Sequence, residues 1–313
     1  QDSKGFYYNK YPKPEEKNRL CEPSLNAAIH YFDIDSGESS LFYGEKNPEE
    51  NYSLSFVGEE NTPLIRVING SEEENHYIMK RDDVWELATP KNIASFDYQD
   101  NDAEGLFFLT NYEAPNYRLV KILFSGEIVE IIPEKELALK SVSILEDFII
   151  TNSINTDMNS FIEFYSRGGE LLDHKIPNDI EGTLSSFSMH KDKLRFSVSN
   201  FISPARYIDL DLDTLDYTIV WQDKVSNFNP ADYEKTFTYY ESKDGTMVPL
   251  TYFHRKDLEI NTETPIFLYG YGGYNISIRP SFSRKYVGWL ELGGVVAIAN
   301  LRGGGELGKK WHN

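Results

Sequence analysis

The segment Pro265-Ile-Phe-Leu-Tyr-Gly-Tyr-Gly-Gly-Tyr-Asn-Ile-Ser277 decides how the C-terminal part of this chain folds. A second segment, Gly293-Gly-Val-Val-Ala-Ile-Ala-Asn-Leu-Arg-Gly-Gly-Gly-Glu-Leu-Gly308, has the same design of a short apolar run followed by a glycine-rich turn. Such runs predict strands buried on both faces, as in a parallel sheet. Glycines after a strand let the backbone turn sharply and approach a ligand. Because ligands bind beyond the carboxyl ends of such strands, Tyr269–Ser277 and Arg302–Gly308 are the predicted site.

The residues around these segments predict a strand, helix, strand unit. A hairpin is expected around the turn Ser242-Lys-Asp-Gly245, which an Asp-Gly pair favours. The strand Ile266–Tyr269 then leads to a helix over Arg284–Leu292, and Val295–Leu301 forms the next buried strand. The order predicts a βαβ unit with a right-handed crossover.

The part before this unit has short strand-like runs and almost no helical periodicity. The runs are rich in Tyr, Phe, Ile and Val: Ile29–Ile34, Gly105–Thr110, Tyr117–Ile122, Phe161–Tyr165, Leu194–Val198 and Arg206–Leu210. Tight turns recur near residues 37, 70, 126, 169 and 213, at intervals of about 33, 56, 43 and 44. Repeats of roughly 40 to 50 residues with about four strands each are typical of propeller blades. The sequence therefore predicts a partial β-propeller of about five blades, with a β-sandwich as the alternative and the blade near residues 45 to 90 the least regular.

The chain becomes irregular from Trp221 to Tyr233, and we place the domain boundary there, near Val225. Residues 1–225 are the predicted propeller domain, and residues 226–313 the predicted second domain. A length of 313 residues agrees with two domains.

Composition narrows the classes of partner. The net charge of −19 argues against nucleic acid, whose phosphates need clustered Lys and Arg. No apolar run approaches the roughly 20 residues that cross a bilayer, so no membrane partner is expected. The single cysteine, Cys21, excludes a disulfide framework within the chain and favours a cytoplasmic location, with the periplasm as the alternative. The histidines lack the spacing of metal ligands, so no metal and no other cofactor is predicted.

Three interpretations of the glycine loops remain open at this point. Gly303-Gly-Gly-Glu-Leu-Gly308 fits G-x-G-x-x-G after a strand, which would suit a dinucleotide pyrophosphate. The glycines could also be tight turns and nothing more. In the third interpretation they shape the site of an α/β-hydrolase, where an oxyanion hole forms partly from the loop after an early strand.

Sequence motifs favour the third interpretation. The run Leu268–Ser277, together with Asn300–Gly308 and Trp311-His312, closely resembles the prolyl oligopeptidase family of serine peptidases. Ser242-Lys-Asp-Gly245 and Ala114-Pro-Asn-Tyr-Arg-Leu119 are further matches. The resemblance implies a seven-bladed propeller followed by an α/β-hydrolase domain, a Ser–Asp–His triad, and hydrolysis of short peptides after proline.

The resemblance also implies roles for individual residues. Tyr271 matches the family tyrosine whose hydroxyl donates to the oxyanion, and Tyr274 stands where a Phe usually lines the substrate pocket. Tyr269 and His312 are predicted to be structural. Arg302 and Glu306 are predicted to form an ion pair that braces their loop.

The sequence contains no G-x-S-x-G, and the family places its triad after the point where this chain stops. We therefore expect an internal fragment of a peptidase that is inactive alone and monomeric when complete. The alternative is a non-catalytic propeller that acts as a binding scaffold with a degenerate hydrolase remnant.

Overall fold

The computed structural model describes residues 4–13, 25–44, 47–69 and 74–312. Cys21 and Gly70 lie outside these ranges. Close packing divides the chain into two units, one of residues 1–113 and 119–130 and the other of residues 114–118 and 131–313. This division by compactness does not test the boundary near Val225, which stays a prediction.

The described residues before 223 form five successive sheets, and in each one the strands lie beside their neighbours in sequence. The first sheet has three strands, and each of the other four has four. The strands are β1 (Gly5–Lys10), β2 (Ala28–Asp33), β3 (Ser39–Gly44); β4 (Glu50–Val57), β5 (Thr62–Asn69), β6 (Asn75–Arg81), β7 (Val84–Leu87); β8 (Phe96–Asn101), β9 (Gly105–Thr110), β10 (Arg118–Leu123), β11 (Ile128–Ile132); β12 (Leu139–Ile144), β13 (Phe148–Ile154), β14 (Ser160–Ser166), β15 (Leu171–Leu172); β16 (Thr183–His190), β17 (Lys193–Asn200), β18 (Ser203–Leu210) and β19 (Tyr217–Gln222). Every strand-like run predicted from the sequence lies in one of these strands, except that Ile34 and Tyr117 of the predicted runs lie one residue outside β2 and β10.

The spacing of the sheets is more regular than the sequence suggested. The connections between the last two strands of successive sheets contain Gly37, Asp82, Gly126, Gly169 and Asp213, which are 43 to 45 residues apart. The turn predicted near residue 70 lies outside the described residues, and in sequence it comes between β5 and β6, the second and third strands of their sheet. The intervals of about 33 and 56 therefore compared different positions in successive sheets, and the sheet β4–β7 has four strands like the three sheets after it.

Apolar side chains fill the space between sheets that are adjacent in sequence. In the first unit, Leu64, Phe96 and Phe108 belong to one such cluster, which joins β4–β7 to β8–β11. In the second unit, Phe164 and Phe196 are fully buried between β12–β15 and β16–β19. Burying a Phe or Leu side chain contributes roughly 1.5–3 kcal/mol each, so these clusters are the main source of stability for the sheets.

The last sheet has the order β20-β21-β23-β22 and differs from the others. Its elements are β20 (Tyr233–Glu241), β21 (Met247–Arg255), β22 (Ile266–Gly270), α1 (Arg284–Glu291), β23 (Val295–Ala299) and, after the sheet, α2 (Lys309–His312). Strands β20 and β21 form the predicted hairpin, and α1 connects the parallel pair β22 and β23 as the predicted βαβ unit. This sheet positions the candidate site.

The prediction that both parallel strands are buried on both faces holds only for β23. All five residues of β23 are buried because it has a neighbour on each side. Strand β22 is at the edge of the sheet, and Ile266 and Leu268 are 59% and 66% exposed. The apolar sequence of β22 is therefore not covered by the rest of this chain.

Candidate functional site

The two glycine-rich loops lie side by side because β22 and β23 are parallel neighbours. Gly270 pairs with Ala299 in the register, so both strands end at the same edge of the sheet. The first loop runs from Tyr271 to Ser277, and the second from Asn300 to Gly308. The predicted site is thus one continuous surface formed by the carboxyl ends of two strands.

The backbones of the two loops are in direct contact. The Asn275 amide donates to the carbonyl of Gly303 at 3.1 Å. Gly303 has a φ of 90°, and a Cβ there would lie 2.4 Å from the carbonyl oxygen of Gly272. At Gly305 a Cβ would lie 2.4 Å from the carbonyl oxygen of Asn275. Gly303 and Gly305 are thus required for close packing of the second loop against the first loop.

Glu306 is the polar link between the loops. Its side chain is buried, and its Oε1 accepts from the Ile278 amide at 2.8 Å and from Asn300 Nδ2 at 3.1 Å. Asn300 Nδ2 also donates to the Ile278 carbonyl at 2.7 Å. Ile278 follows the first loop directly, so the second loop fixes the point where the first one ends.

The predicted ion pair between Arg302 and Glu306 is wrong. Arg302 pairs instead with Asp244 in the β20–β21 turn, where its guanidinium also reaches the Thr246 hydroxyl. Arg302 is the main reason that the pKa of Asp244 falls from 3.8 to about 2, and the Thr246 amide also contributes. Glu306 points inward and braces the loop, whereas Arg302 points outward and braces the β20–β21 hairpin.

His312 and Tyr269 have structural surroundings, as predicted. The His312 Nδ1 is 2.7 Å from the Gly303 carbonyl, and its N–H donates to that oxygen. The Tyr269 ring packs against the cluster of Phe253, Leu290 and Val296.

Tyr271 and Tyr274 are both accessible on the first loop. Tyr271 is 45% exposed, and among the residues that the structure describes its hydroxyl forms no hydrogen bond. Tyr274 is 73% exposed and has a φ of 53°, a conformation that is rare for a bulky residue and is found at functional sites more often than elsewhere. The exposed hydroxyl and ring are free to meet a ligand, while the roles assigned to them stay predictions.

The sequence did not predict the contacts by which residues of the preceding sheets and their connections hold these loops in place. Asn275 Nδ2 donates to the Tyr117 hydroxyl at 3.1 Å, and Lys140 Nζ donates to the Gly305 carbonyl. The Lys309 amide donates to the Pro115 carbonyl at 3.3 Å. The motif Ala114-Pro-Asn-Tyr117 was the available signal, because it is one of the family matches and lies outside the glycine loops.

Across residues 4–13, 25–44, 47–69 and 74–312, His, Cys, Asp and Glu form no group of three or more that could bind a metal ion. Within the same ranges, no helix has the length and apolar character to span a membrane.

Known proteins similar to this chain agree with the geometry. The family model described as the prolyl oligopeptidase N-terminal β-propeller domain matches residues 1–223. A prolyl endopeptidase of Dictyostelium discoideum is 31% identical over all of this chain and 46% of its own length. One from Elizabethkingia meningoseptica is 29% identical over 99% of this chain and 45% of its own length.

Solved structures give the same result. Prolyl oligopeptidase B from Galerina marginata, bound to a 35mer hydrolysis and macrocyclization substrate, superposes with a TM-score of 0.86 and 26% identity over 99% of this chain and 46% of its own. This chain spans about half the length of the curated relatives and solved structures that it matches. The extent of the family model and the agreement over the whole chain lead to one conclusion: the chain belongs to the prolyl oligopeptidase family, and it contains the N-terminal β-propeller of that family.

Proposed function

We propose that this chain is part of a serine peptidase that hydrolyses short peptides on the carboxyl side of proline. The triad of Ser, Asp and His belongs to residues outside these 313. The Ser attacks the scissile carbonyl, the His acts as general base, and the Asp orients the His. The complete enzyme is a monomer that needs no cofactor.

Residues 226–313 are, in this proposal, the first part of the α/β-hydrolase domain. The parallel pair β22 and β23, connected by α1, supports this assignment. The exposed apolar side chains of Ile266 and Leu268 on the edge strand also support it, because further strands and helices of a hydrolase sheet would cover them.

Tyr271 is the residue of this chain that acts in the chemical step. Its hydroxyl donates to the oxyanion of the tetrahedral intermediate, a contact worth about 2.7–4 kcal/mol in related oxyanion holes. Tyr274 forms a wall of the proline pocket, where its ring supplies apolar surface and its hydroxyl adds polarity. The observation that carries the proposal is the accessible Tyr271 hydroxyl at the carboxyl end of β22, which has no hydrogen bond among the described residues.

The test measures the hydrolysis of two chromogenic peptides. One has proline before the cleaved bond, and the other is identical except that alanine replaces the proline. We expect the full-length protein to prefer the proline peptide, and the 313-residue chain alone to cleave neither. Cleavage by the isolated chain would contradict the placement of the triad. Binding of the peptides without cleavage by the full-length protein would instead favour a scaffold.

A further inference from the structure

Arg279 connects the end of the first glycine loop to the sheet β12–β15, which is distant in sequence. It follows Ile278, and its Nη2 donates to Asn152 Oδ1 at 3.0 Å and to Ser160 Oγ at 2.5 Å. Asn152 is in β13 and Ser160 begins β14. The contact spans 127 and 119 residues of sequence.

The two acceptors are themselves held in place by the next sheet. Asn152 Nδ2 donates to the Leu184 carbonyl at 2.8 Å, which turns the Asn152 Oδ1 toward the arginine. The Leu184 amide donates to Ser160 Oγ at 2.9 Å. Because Leu184 is in β16, the arginine binds where the sheets β12–β15 and β16–β19 meet.

Charge attraction does not account for this contact. No carboxylate pairs with Arg279 in the part of the chain that the structure describes, and its Nε is buried without a hydrogen-bond partner. Burial lowers the pKa of the guanidinium. A buried cation without an ion pair is costly for folding, so its stabilising contribution is small compared with that of an apolar side chain. A positional role explains its presence better than a role in stability.

The backbone next to Arg279 is fixed from the other side. Ile278 donates to Glu306 and accepts from Asn300, which ties it to the second glycine loop. The arginine side chain and the Ile278 backbone thus hold the same short segment through separate contacts. This segment ends the loop that begins with Tyr271.

We propose that Arg279 is a positioning residue that sets the place of the Tyr271 hydroxyl by anchoring its loop to the sheet β12–β15. This inference rests on the proposed function, because it assumes that Tyr271 acts on the oxyanion. A displacement of about 1 Å in a catalytic group lowers the rate by about 100-fold, so loss of the anchor should be visible in kcat.

The test is a double-mutant cycle in the full-length protein. The four proteins are the wild type, Arg279→Met, Tyr271→Phe and the double variant, assayed with the chromogenic proline peptide. We expect Arg279→Met to lower kcat by about 10- to 100-fold with KM changed less than about threefold. In the Tyr271→Phe background the same change should lower kcat by less than about threefold, because the group that it positions is gone.

Arg284→Met is the matched control. Arg284 lies five residues further along and forms an exposed pair with Asp223, so removing it deletes the same charge from the same segment. Its kcat should stay within about twofold of the wild type, since surface ion pairs contribute little. If Arg279→Met does not fold, Arg279→Lys takes its place in the cycle, since an ammonium can donate to only part of the same site.

Additive effects of the two substitutions, or an unchanged kcat in folded Arg279→Met, would overturn the inference. An inactive wild-type protein would overturn the proposed function. This outcome is distinguishable from a failure of the Arg279 inference, because it is seen in the wild type before any variant is made.

Discussion

Glu306 is the residue whose removal should most clearly disturb the two loops. Its Oε1 holds two donors, the Ile278 amide and the Asn300 side chain, in a buried place. Hydrogen bonds to a charged group contribute about 1.5–3 kcal/mol each, and a buried donor left unpaired costs about 1–3 kcal/mol. Asn300 keeps its bond to the Ile278 carbonyl, so only the Ile278 amide loses every partner. We expect Glu306→Ala to lower the free energy of unfolding by about 3–4 kcal/mol.

Glu306→Gln is the matched control for this prediction. The amide oxygen can replace Oε1, and the amide nitrogen would occupy the place of Oε2, which is buried without a partner. The two bonds persist without the charge, so we expect a loss of only about 1 kcal/mol.

The assay is urea unfolding of the 313-residue chain, followed by tryptophan fluorescence. Trp311 is a local probe, because its indole Nε1 donates to the Leu301 carbonyl at 3.1 Å in the second loop. Hydrogen exchange at the Ile278 amide gives an independent reading, and it should become faster in Glu306→Ala. A loss in Glu306→Gln equal to that in Glu306→Ala would refute the assignment of Oε1 as the acceptor that braces the loops.

Two further predictions concern the same loops. Gly303→Ala should lower the free energy of unfolding by more than Gly293→Ala does. Both glycines have positive φ, so alanine at either position adds about 1–2 kcal/mol of backbone strain, but only at position 303 would the Cβ also collide with a neighbouring carbonyl. Equal losses in urea unfolding would contradict this prediction. Asp244 should titrate with a midpoint near 2 by carbon-detected NMR, and Arg302→Met should move the midpoint back toward 3.8. Since the pKa of Asp244 is lowered in the folded state, the stabilisation by this pair is present above about pH 4 and is lost as the pH falls toward 2. A midpoint that Arg302→Met leaves unchanged would show that Arg302 does not cause the lowered pKa.

The strands were predictable because their side chains carry a local signal. Gly105–Thr110 was predicted with the bounds that β9 has, and all six of its residues are buried. The turn after β6 was missed because it contains Asp82 and Asp83 and no glycine. Both aspartates have positive φ, 45° and 62°, a conformation that Asp adopts more readily than most residues. The glycine at position 70 therefore led to the prediction of a turn there, and the regular repeat of four-stranded sheets looked irregular.

The partners of charged side chains in loops could not be predicted from spacing. Arg302 and Glu306 are four apart, which would bring them together on a helix, but a loop sets no common face. The partner of Arg302 is Asp244, 58 residues earlier, and the partners of Arg279 are more than 110 residues earlier. Such pairs depend on how sheets pack, and sequence patterns within one element carry no information about that. The place of Tyr271, by contrast, follows from where an apolar strand ends.

The most direct test of this account is the kcat of Tyr271→Phe in the full-length protein with the chromogenic proline peptide. The substitution removes one hydroxyl and keeps the ring, and Tyr271 has no hydrogen bond to lose among the described residues. We predict that kcat falls by about 100- to 1,000-fold while KM and the thermal unfolding temperature stay close to the wild type. An unchanged kcat would remove Tyr271 from the mechanism and contradict the assignment of this loop as part of the active site.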